Sequence, residues 1–241
     1  MMNSTDYIKT ILSRRTTRDK QRTVGASNLV NACTRCLAED MLNMKREQGT
    51  YNMGAVLGTA IHDYVDKRNL DPKAMKEYKL GLGYIDGYGK VGSRLDIYRR
   101  DAKQVIDLKT TTRDKMALYR KIIENGSEDE FDSEQMEVAR YTLESYVRQA
   151  NVYAWSLVQD GYPVETVSIV FICRDGQILD RDIWGFEMPY DESLAVKVWN
   201  RGEALWKWLQ NSDNSVTELD SHSLCYYCNN VRPYIRKKVV L

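Results

Sequence analysis

Two acidic residues and one lysine occur at a spacing that can support hydrolytic chemistry. Asp96 ends one apolar stretch, and Asp107 and Lys109 lie in the next one. Side chains two positions apart on a β-strand point to the same face, so Asp107 and Lys109 are expected to project together. A hairpin between the two stretches would bring Asp96 beside them. Two carboxylates and an ammonium group on one surface are typical of a site for a divalent metal ion and an attacking water.

Alternating apolar residues and glycine-rich turns predict the strands that position these three groups. Strands are predicted over residues 78–82, 90–98 and 104–109, with a hairpin turn at residues 99–102. Acids and lysines are common in hairpins, so the same residues also fit a salt bridge across two strands. The choice between these interpretations depends on which other polar residues reach the hairpin.

Two predicted helices flank the hairpin in sequence and carry suitable polar residues. His62 lies on a helix predicted over residues 56–67, and an imidazole can join carboxylates as a ligand of Mn²⁺-type ions. Gln149 and Tyr153 share one face of a helix predicted over residues 134–159. Both side chains can bind phosphates or bases. Each of these residues, taken alone, is also a common structural residue of a helix.

Four of the five cysteines form two Cys-x2-Cys pairs, Cys33/Cys36 and Cys225/Cys228. This spacing allows both sulfurs of a pair to reach one metal. The sequence shows no sign of secretion, which favours metal ligation over disulfide bonds. We therefore predict one shared four-thiolate site that joins the N- and C-terminal segments. Cys173 lies in an apolar stretch and is expected to be a core residue.

The order of the predicted elements indicates an α/β protein with a mixed β-sheet flanked by helices. We expect a basic N-terminal segment over residues 1–26 and a single domain over residues 27–241. The other predicted elements are a helix capped by Ser27 that extends from Leu29 to Lys45, a helix over 118–124, strands over 167–173 and 183–188, and a helix capped by Asp191 that extends to Leu209.

Composition and charge narrow the class of protein. The chain has 241 residues, of which 43% are hydrophobic and 29% charged, as in globular proteins. No apolar stretch is long enough to cross a bilayer and residues 1–22 lack a signal-peptide core, so we expect a cytoplasmic protein. A net charge of +1 excludes a protein that is basic throughout. Basic stretches at residues 14–22 and 232–238 still permit a local phosphate-binding surface.

The motifs in combination resemble the RecB-like branch of the PD-(D/E)XK nucleases. The local patterns G-T-x-x-H, D-x-K-T and Q-x3-Y match that branch, and the resemblance spans residues 27–228. The bracketing cysteines resemble its iron–sulfur subgroup, which includes the CRISPR-associated type-four exonucleases and the AddB nuclease domain. The matching residues, in chain order, are His62, Asp96, Asp107, Leu108, Lys109, Gln149 and Tyr153.

The resemblance implies a restriction-endonuclease-like core and a catalytic site for Mg²⁺ or Mn²⁺. His62, Asp96, Asp107 and the backbone carbonyl of Leu108 would be the metal ligands. Asp96, Asp107 and Lys109 would be the catalytic residues, with Lys109 orienting the attacking water and offsetting charge in the transition state.

The resemblance also assigns roles to the outer motifs. Gln149 and Tyr153 would bind the DNA strand. The iron–sulfur subgroup usually has one upstream and three downstream cysteines, whereas this chain has two and two. The four cysteines are therefore expected to hold a [4Fe–4S] cluster or, as the alternative, a structural Zn²⁺.

The function implied is that of a metal-dependent deoxyribonuclease, expected to be an exonuclease acting on single-stranded DNA or DNA ends. It would serve recombination, repair, replication or CRISPR adaptation, with or without partner proteins. One alternative is a non-catalytic nucleic-acid-binding subunit that retains the nuclease fold. Another is a zinc-stapled interaction protein. Because Asp96, Asp107 and Lys109 are all present, the enzyme is favoured.

Overall fold

The computed structural model describes residues 23–44, 53–68, 71–125, 134–177, 179 and 181–231. The basic stretches at residues 14–22 and 232–238 lie outside this range, as does most of the expected N-terminal segment. The elements, in chain order, are α1 (Ala26–Leu29), α2 (Thr34–Met41), α3 (Met53–Lys67), β1 (Met75–Ile85), β2 (Gly89–Arg99), β3 (Gln104–Thr111), α4 (Arg113–Asn125), α5 (Glu134–Gln159), β4 (Thr166–Cys173), β5 (Ile183–Pro189), α6 (Glu192–Leu209), a 3₁₀ turn (Val216–Glu218) and a π-helical turn (Tyr227–Val231).

The five strands form one mixed sheet in the order β1-β2-β3-β4-β5. Only β3 and β4 pair in parallel, and the other three neighbouring pairs are antiparallel. The parallel pair requires a crossover, which α4 and α5 provide. The predicted mixed sheet flanked by helices is therefore confirmed.

Helix α5 covers the sheet and contacts β1, β2, β3 and β4. Its 26 residues contain no glycine or proline, which suits an uninterrupted helix. The helix ends where Gly161 adopts a φ of +84°, a conformation that favours glycine. The N–H of Tyr162 then donates to the carbonyl of Leu157 at 2.9 Å, as in a Schellman cap. Helix α6 packs against α5, and its Trp199 lies against Gly83 of β1.

The prediction of one continuous N-terminal helix capped by Ser27 is wrong. The structure has two short helices, and Gly25, not Ser27, precedes the first. The side chain of Asn31 accepts a hydrogen bond from the backbone N–H of Cys33 at 3.0 Å, which gives the backbone an alternative to the helix. This interruption makes Cys33 the N-cap residue of α2. The predicted end at Lys45 lies outside the described residues.

The other predicted elements are present, and three of them are longer than predicted by three residues or more. Helix α3 begins at Met53, three residues before the predicted start. Strand β1 begins three residues before the predicted range and ends three residues after it. Helix α4 begins at Arg113, five residues before the predicted start, because the chain enters it directly from β3. Asp191 caps α6 as predicted, accepting a hydrogen bond from the backbone N–H of Ser193 at 2.9 Å. In the described part of the chain, no helix has the length and apolar character needed to span a bilayer.

Candidate active site and cysteine cluster

The candidate active site lies where the pairing of β2 and β3 ends. Cα pairing between these strands extends from Arg99↔Gln104 to Ile97↔Ile106. At the next position, a side chain takes over from the backbone: Asp96 Oδ2 accepts a hydrogen bond from the N–H of Leu108 at 2.7 Å. The end of the pairing leaves room between the strands, and it brings Asp96 beside the strand that carries the second acid.

Asp107 and Lys109 project together from β3, as their spacing predicts. Lys109 Nζ lies 2.8 Å from Asp107 Oδ1 and 2.7 Å from Oδ2. Asp107 is only 1% exposed, and burial, together with the nearby charge of Asp96, raises its pKa to about 6 against the opposing effect of Lys109. Although the Lys109 ammonium is close, Asp107 Oδ2 has no hydrogen bond of acceptable geometry among the described residues. This carboxylate oxygen is therefore available to a cation.

His62 on α3 reaches Asp96 across the space above the sheet. His62 Nδ1 lies 3.1 Å from Asp96 Oδ1. The hydrogen bond to Asp96 raises the pKa of His62 above its ordinary value. Burial alone would raise the pKa of Asp96, but the hydrogen bond and charge of His62 and the charge of Lys109 outweigh it and lower that pKa. The structure thus brings His62, Asp96, Asp107 and Lys109 together.

Glu77 is a residue of this group that sequence reasoning missed. The pairs Lys76↔Ile97 and Tyr78↔Leu95 set Glu77 opposite Asp96. Ligand atoms of His62, Glu77 and Asp96 all lie within 4.8 Å of one another. Glu77 has a φ of +47°, which is unusual for a residue with a side chain and marks a local irregularity in β1. Only the register of β1 against β2 could have revealed it.

Gln149 and Tyr153 lie on α5 and form part of a chain of hydrogen bonds that ends at Lys109. Gln149 Oε1 accepts a hydrogen bond from Lys109 Nζ at 3.0 Å, and Gln149 Nε2 donates to the hydroxyl of Tyr153 at 2.6 Å. The Lys109 ammonium also lies 4.9 Å from the centre of the Tyr146 ring. Gln149 is 8% and Tyr153 4% exposed. The observed contacts hold Lys109 in place, and direct binding of DNA by Gln149 and Tyr153 stays a prediction.

An open cavity of about 780 Å³ lies over Glu77 and Asp96, which together form the acidic group. His62, Glu77, Asp96 and Tyr153 contribute to its wall, together with Gly25, Gly58 and Gly92. The cavity also has a basic side, formed by residues of β1 and β2. A polymeric ligand could therefore reach the carboxylates from solvent.

The four paired cysteines converge, as predicted, at a second place. The Sγ atoms of Cys33 and Cys228 are 3.5 Å apart, those of Cys36 and Cys225 are 3.3 Å apart, and those of Cys36 and Cys228 are 3.8 Å apart. All four sulfurs lie within 4.8 Å of one another. The hydrogen bond with Cys36 lowers the pKa of Cys33. Cys173 lies apart from this cluster in the core, also as predicted.

Polar contacts hold the C-terminal segment against α2. The Arg35 guanidinium donates to the carbonyl oxygens of Leu219, at 2.9 and 2.6 Å, and of Thr217, at 3.0 Å. The ring of His222 packs on the ring of Tyr141 from α5, with centroids 4.4 Å apart. Three of the four cysteines are buried behind these contacts. The cluster is closed to solvent on most sides.

Comparison with known proteins identifies the fold and no more than the fold. No family model matches the chain, and no curated protein matches it. A structure from Eubacterium rectale with a proposed exonuclease activity has a TM-score of 0.51 and 14% identity, and the match covers 100% of this chain and 96% of the other. The alkaline exonuclease LHK-Exo from Laribacter hongkongensis has a TM-score of 0.50 and 13% identity, with coverage of 80% and 90%. The chain therefore shares its fold with these bacterial exonuclease structures.

Proposed function

We propose that the chain is a metal-dependent nuclease that hydrolyses phosphodiester bonds in DNA. The observation that carries the proposal is the meeting of Asp96, Asp107 and Lys109 where the pairing of β2 and β3 ends, with His62 above them. Two carboxylates, a buried lysine and an imidazole beside an open cavity fit hydrolysis of a phosphate ester. The shared fold supports the same conclusion.

The residues of the site fit a divalent cation. Oxygen donors with one imidazole suit Mg²⁺ or Mn²⁺. The buried Oδ2 of Asp107 lies 2.7 Å from the Lys109 ammonium but accepts no hydrogen bond from the described residues, so it can also face an ion. His62, Asp96, Asp107 and the carbonyl of Leu108 would hold the ion, and Glu77 adds a further carboxylate. The bound ion would act as a Lewis acid toward the phosphate and the attacking water.

Lys109 acts as a fixed positive charge. Burial disfavours its ammonium form, but the charges of Asp107 and Asp96 outweigh burial and raise its pKa. A lysine that stays protonated cannot serve as a general base. Held between Asp107 and Gln149, it can orient the water and stabilise the charge that develops on the phosphate oxygens.

We propose that the four cysteines share a single metal ion. Tetrahedral Zn²⁺ with bonds of about 2.3 Å places its sulfurs about 3.8 Å apart, close to the observed separations. A [4Fe–4S] cluster gives each cysteine its own iron, so its ligating sulfurs stand farther apart. The spacing therefore supports Zn²⁺ over the iron–sulfur cluster that the sequence resemblance favours.

The substrate proposed is a DNA strand with a free end. The activity would serve recombination, repair, replication or CRISPR adaptation, where partner proteins supply such ends. The test is cleavage of linear and closed circular single-stranded DNA, and of linear duplex, with Mn²⁺, Mg²⁺ or EDTA. We expect metal-dependent loss of the linear strands and survival of the circles.

Each outcome of this test has a distinct meaning. Nicking of the circles would show that the enzyme is an endonuclease and not an exonuclease. Binding of DNA without cleavage under all metal conditions would show that the protein is a non-catalytic nucleic-acid-binding subunit. Metal content of the purified protein, measured by mass spectrometry, and its visible spectrum distinguish Zn²⁺ from an iron–sulfur cluster.

A further inference from the structure

Two basic residues lie beside the acidic group on the same face of the β1–β2 hairpin. Lys79 and Arg94 are direct Cα partners, and both contribute to the wall of the cavity over the acids. We infer that Lys79 and Arg94 form an anion subsite that binds the backbone phosphate next to the one that is cleaved. This inference rests on the proposed nuclease function and specifies how the strand is held.

The cross-strand arrangement of charge points to bound ligands. Like charges directly opposite each other on antiparallel strands, with Cβ atoms about 4.5–5.5 Å apart, destabilise a sheet. This hairpin has two such pairs in succession: Glu77 opposite Asp96, and Lys79 opposite Arg94. The acids already have cationic neighbours, since Asp96 contacts His62 and Glu77 contacts Arg94. An anion between Lys79 and Arg94 would relieve the repulsion between the bases, and a DNA phosphate supplies that anion.

The basic pair has donors to offer an anion. Arg94 Nη1 lies 3.3 Å from Glu77 Oε2, which engages one edge of the guanidinium and leaves its other N–H groups for a ligand. The Arg94 side chain is 45% exposed. Lys79 is exposed as well, and within the described ranges no carboxylate lies at ion-pair distance from it.

The distance between the two pairs suits successive phosphates. Residues two apart on a strand are separated by about 7 Å, so the basic pair lies one such step from the acidic pair. Successive phosphates of an extended single strand have a similar separation. A strand with its scissile phosphate over Asp96 would thus place the next phosphate between Lys79 and Arg94.

The next pair along the hairpin consists of two glycines, Gly81 and Gly92. A Cβ atom at Gly81 would meet no described atom within 4 Å, and one at Gly92 would meet the carbonyl of Leu80 at 3.2 Å. This part of the face is therefore flat backbone beyond the basic pair. The hairpin presents, in order, acids, bases and a bare surface over which the strand can continue.

The test measures DNA binding in EDTA, where the proposed enzyme does not cleave. A fluorescent ten-nucleotide single strand is titrated against the wild type and against the double variant Lys79→Gln/Arg94→Gln. We expect the double variant to bind about tenfold more weakly. The slope of the logarithm of the binding constant against the logarithm of the salt concentration should become shallower by about 0.7, the value for one lost phosphate contact on a single strand. The charge-retaining variant Lys79→Arg/Arg94→Lys should bind almost as the wild type does.

A chemical substitution in the DNA locates the contact. Each linkage in turn is replaced by a neutral methylphosphonate. In the wild type, substitution of one linkage, next to the cleaved position, should lower the affinity for DNA about tenfold. The same substitution should cause no further loss in the double variant, as expected for two partners of one contact.

Controls separate this subsite from general charge effects and from the proposed function. Lys197→Gln/Lys207→Gln removes two exposed charges from α6, outside the cavity wall, and should leave the methylphosphonate pattern unchanged. Equal binding by the wild type and the Lys79/Arg94 variant, or losses spread evenly over all linkages, would overturn the inference. Failure of the wild type to cleave DNA with Mn²⁺ would overturn the nuclease function and leave the binding result interpretable.

Discussion

The two candidate metal sites of this protein differ in the way they meet solvent. The carboxylate site borders an open cavity, and its His62 and Asp96 side chains are 20% and 13% exposed. Three of the four cysteines in the cluster are buried, Cys228 is half-buried, and the sulfurs contact one another. Metal sites that act on substrates keep an open position, whereas structural sites are closed by four protein ligands. The difference agrees with the proposal that chemistry takes place at the open site and that the closed site stabilises the fold.

The largest effect is expected at the open site, from the removal of Lys109 or the neutralisation of Asp107. Lys109→Ala and Asp107→Asn should each lower kcat by at least about 10³-fold, because both act on charge in the transition state. Metal bound at the cysteines should be unchanged. Lys103→Ala, which removes an exposed ion pair with Glu165 at the turn of the same hairpin, is the matched control and should retain activity. Cleavage by highly purified Lys109→Ala protein at the wild-type rate would refute the assignment.

At the closed site, the corresponding mutation is Cys36→Ser, which is expected to change stability and metal content. It should lower the free energy of unfolding by about 3 kcal/mol or more, because binding of the ion is coupled to folding. Unfolding curves and metal content check this together. Cys173→Ser is the control, since that buried cysteine of β4 lies outside the cluster and its loss should leave the metal content unchanged. A stable, metal-replete Cys36→Ser protein would contradict a shared site.

Gln149→Ala sharpens the division within the open site. If Gln149 positions Lys109, kcat should fall about tenfold while the KM for DNA stays constant. Tyr153→Phe, which removes the hydroxyl that accepts the hydrogen bond from Gln149, should have a smaller effect of the same kind. If these residues instead bind the strand directly, KM and the dissociation constant should rise and kcat should be retained.

The smallest expected effect is the pH dependence of the ion-free protein. Because the hydrogen bond with Asp96 raises the pKa of His62 above 6.5, the folded state binds a proton more tightly than the unfolded state. This contribution is present below pH 6.5 and is lost as the pH rises through the folded-state pKa.

The measurement for His62 compares unfolding of the wild type and His62→Gln in EDTA across the pH range. The two proteins should differ most below pH 6.5 while Asp96 is still ionised, and their stabilities should converge in alkali. A constant difference at all pH values would show that His62 contributes by packing and not by its charge.

The sequence predicts those parts of the molecule that depend on local pattern. The period-two and period-3.6 patterns around Asp107 and Gln149 placed β3 and α5 within two residues of their observed bounds. Spacing also predicted the convergence of the cysteines. Glu77 was missed because its place beside Asp96 depends on strand register, which is a long-range property. The break after α1 was missed because the side-chain hydrogen bond of Asn31 competes with the helix.

The cysteine cluster has a consequence for the order of events during folding. Cys36 and Cys228 are 192 positions apart, and closing so long a loop in the unfolded chain has a large entropic cost. Before folding, an ion can hold only the two thiolates of one local pair. The four-thiolate site exists only after the sheet between the pairs has formed. Ligation of the proposed ion by all four thiolates would then be the last step, and folding of the complete chain should limit its rate.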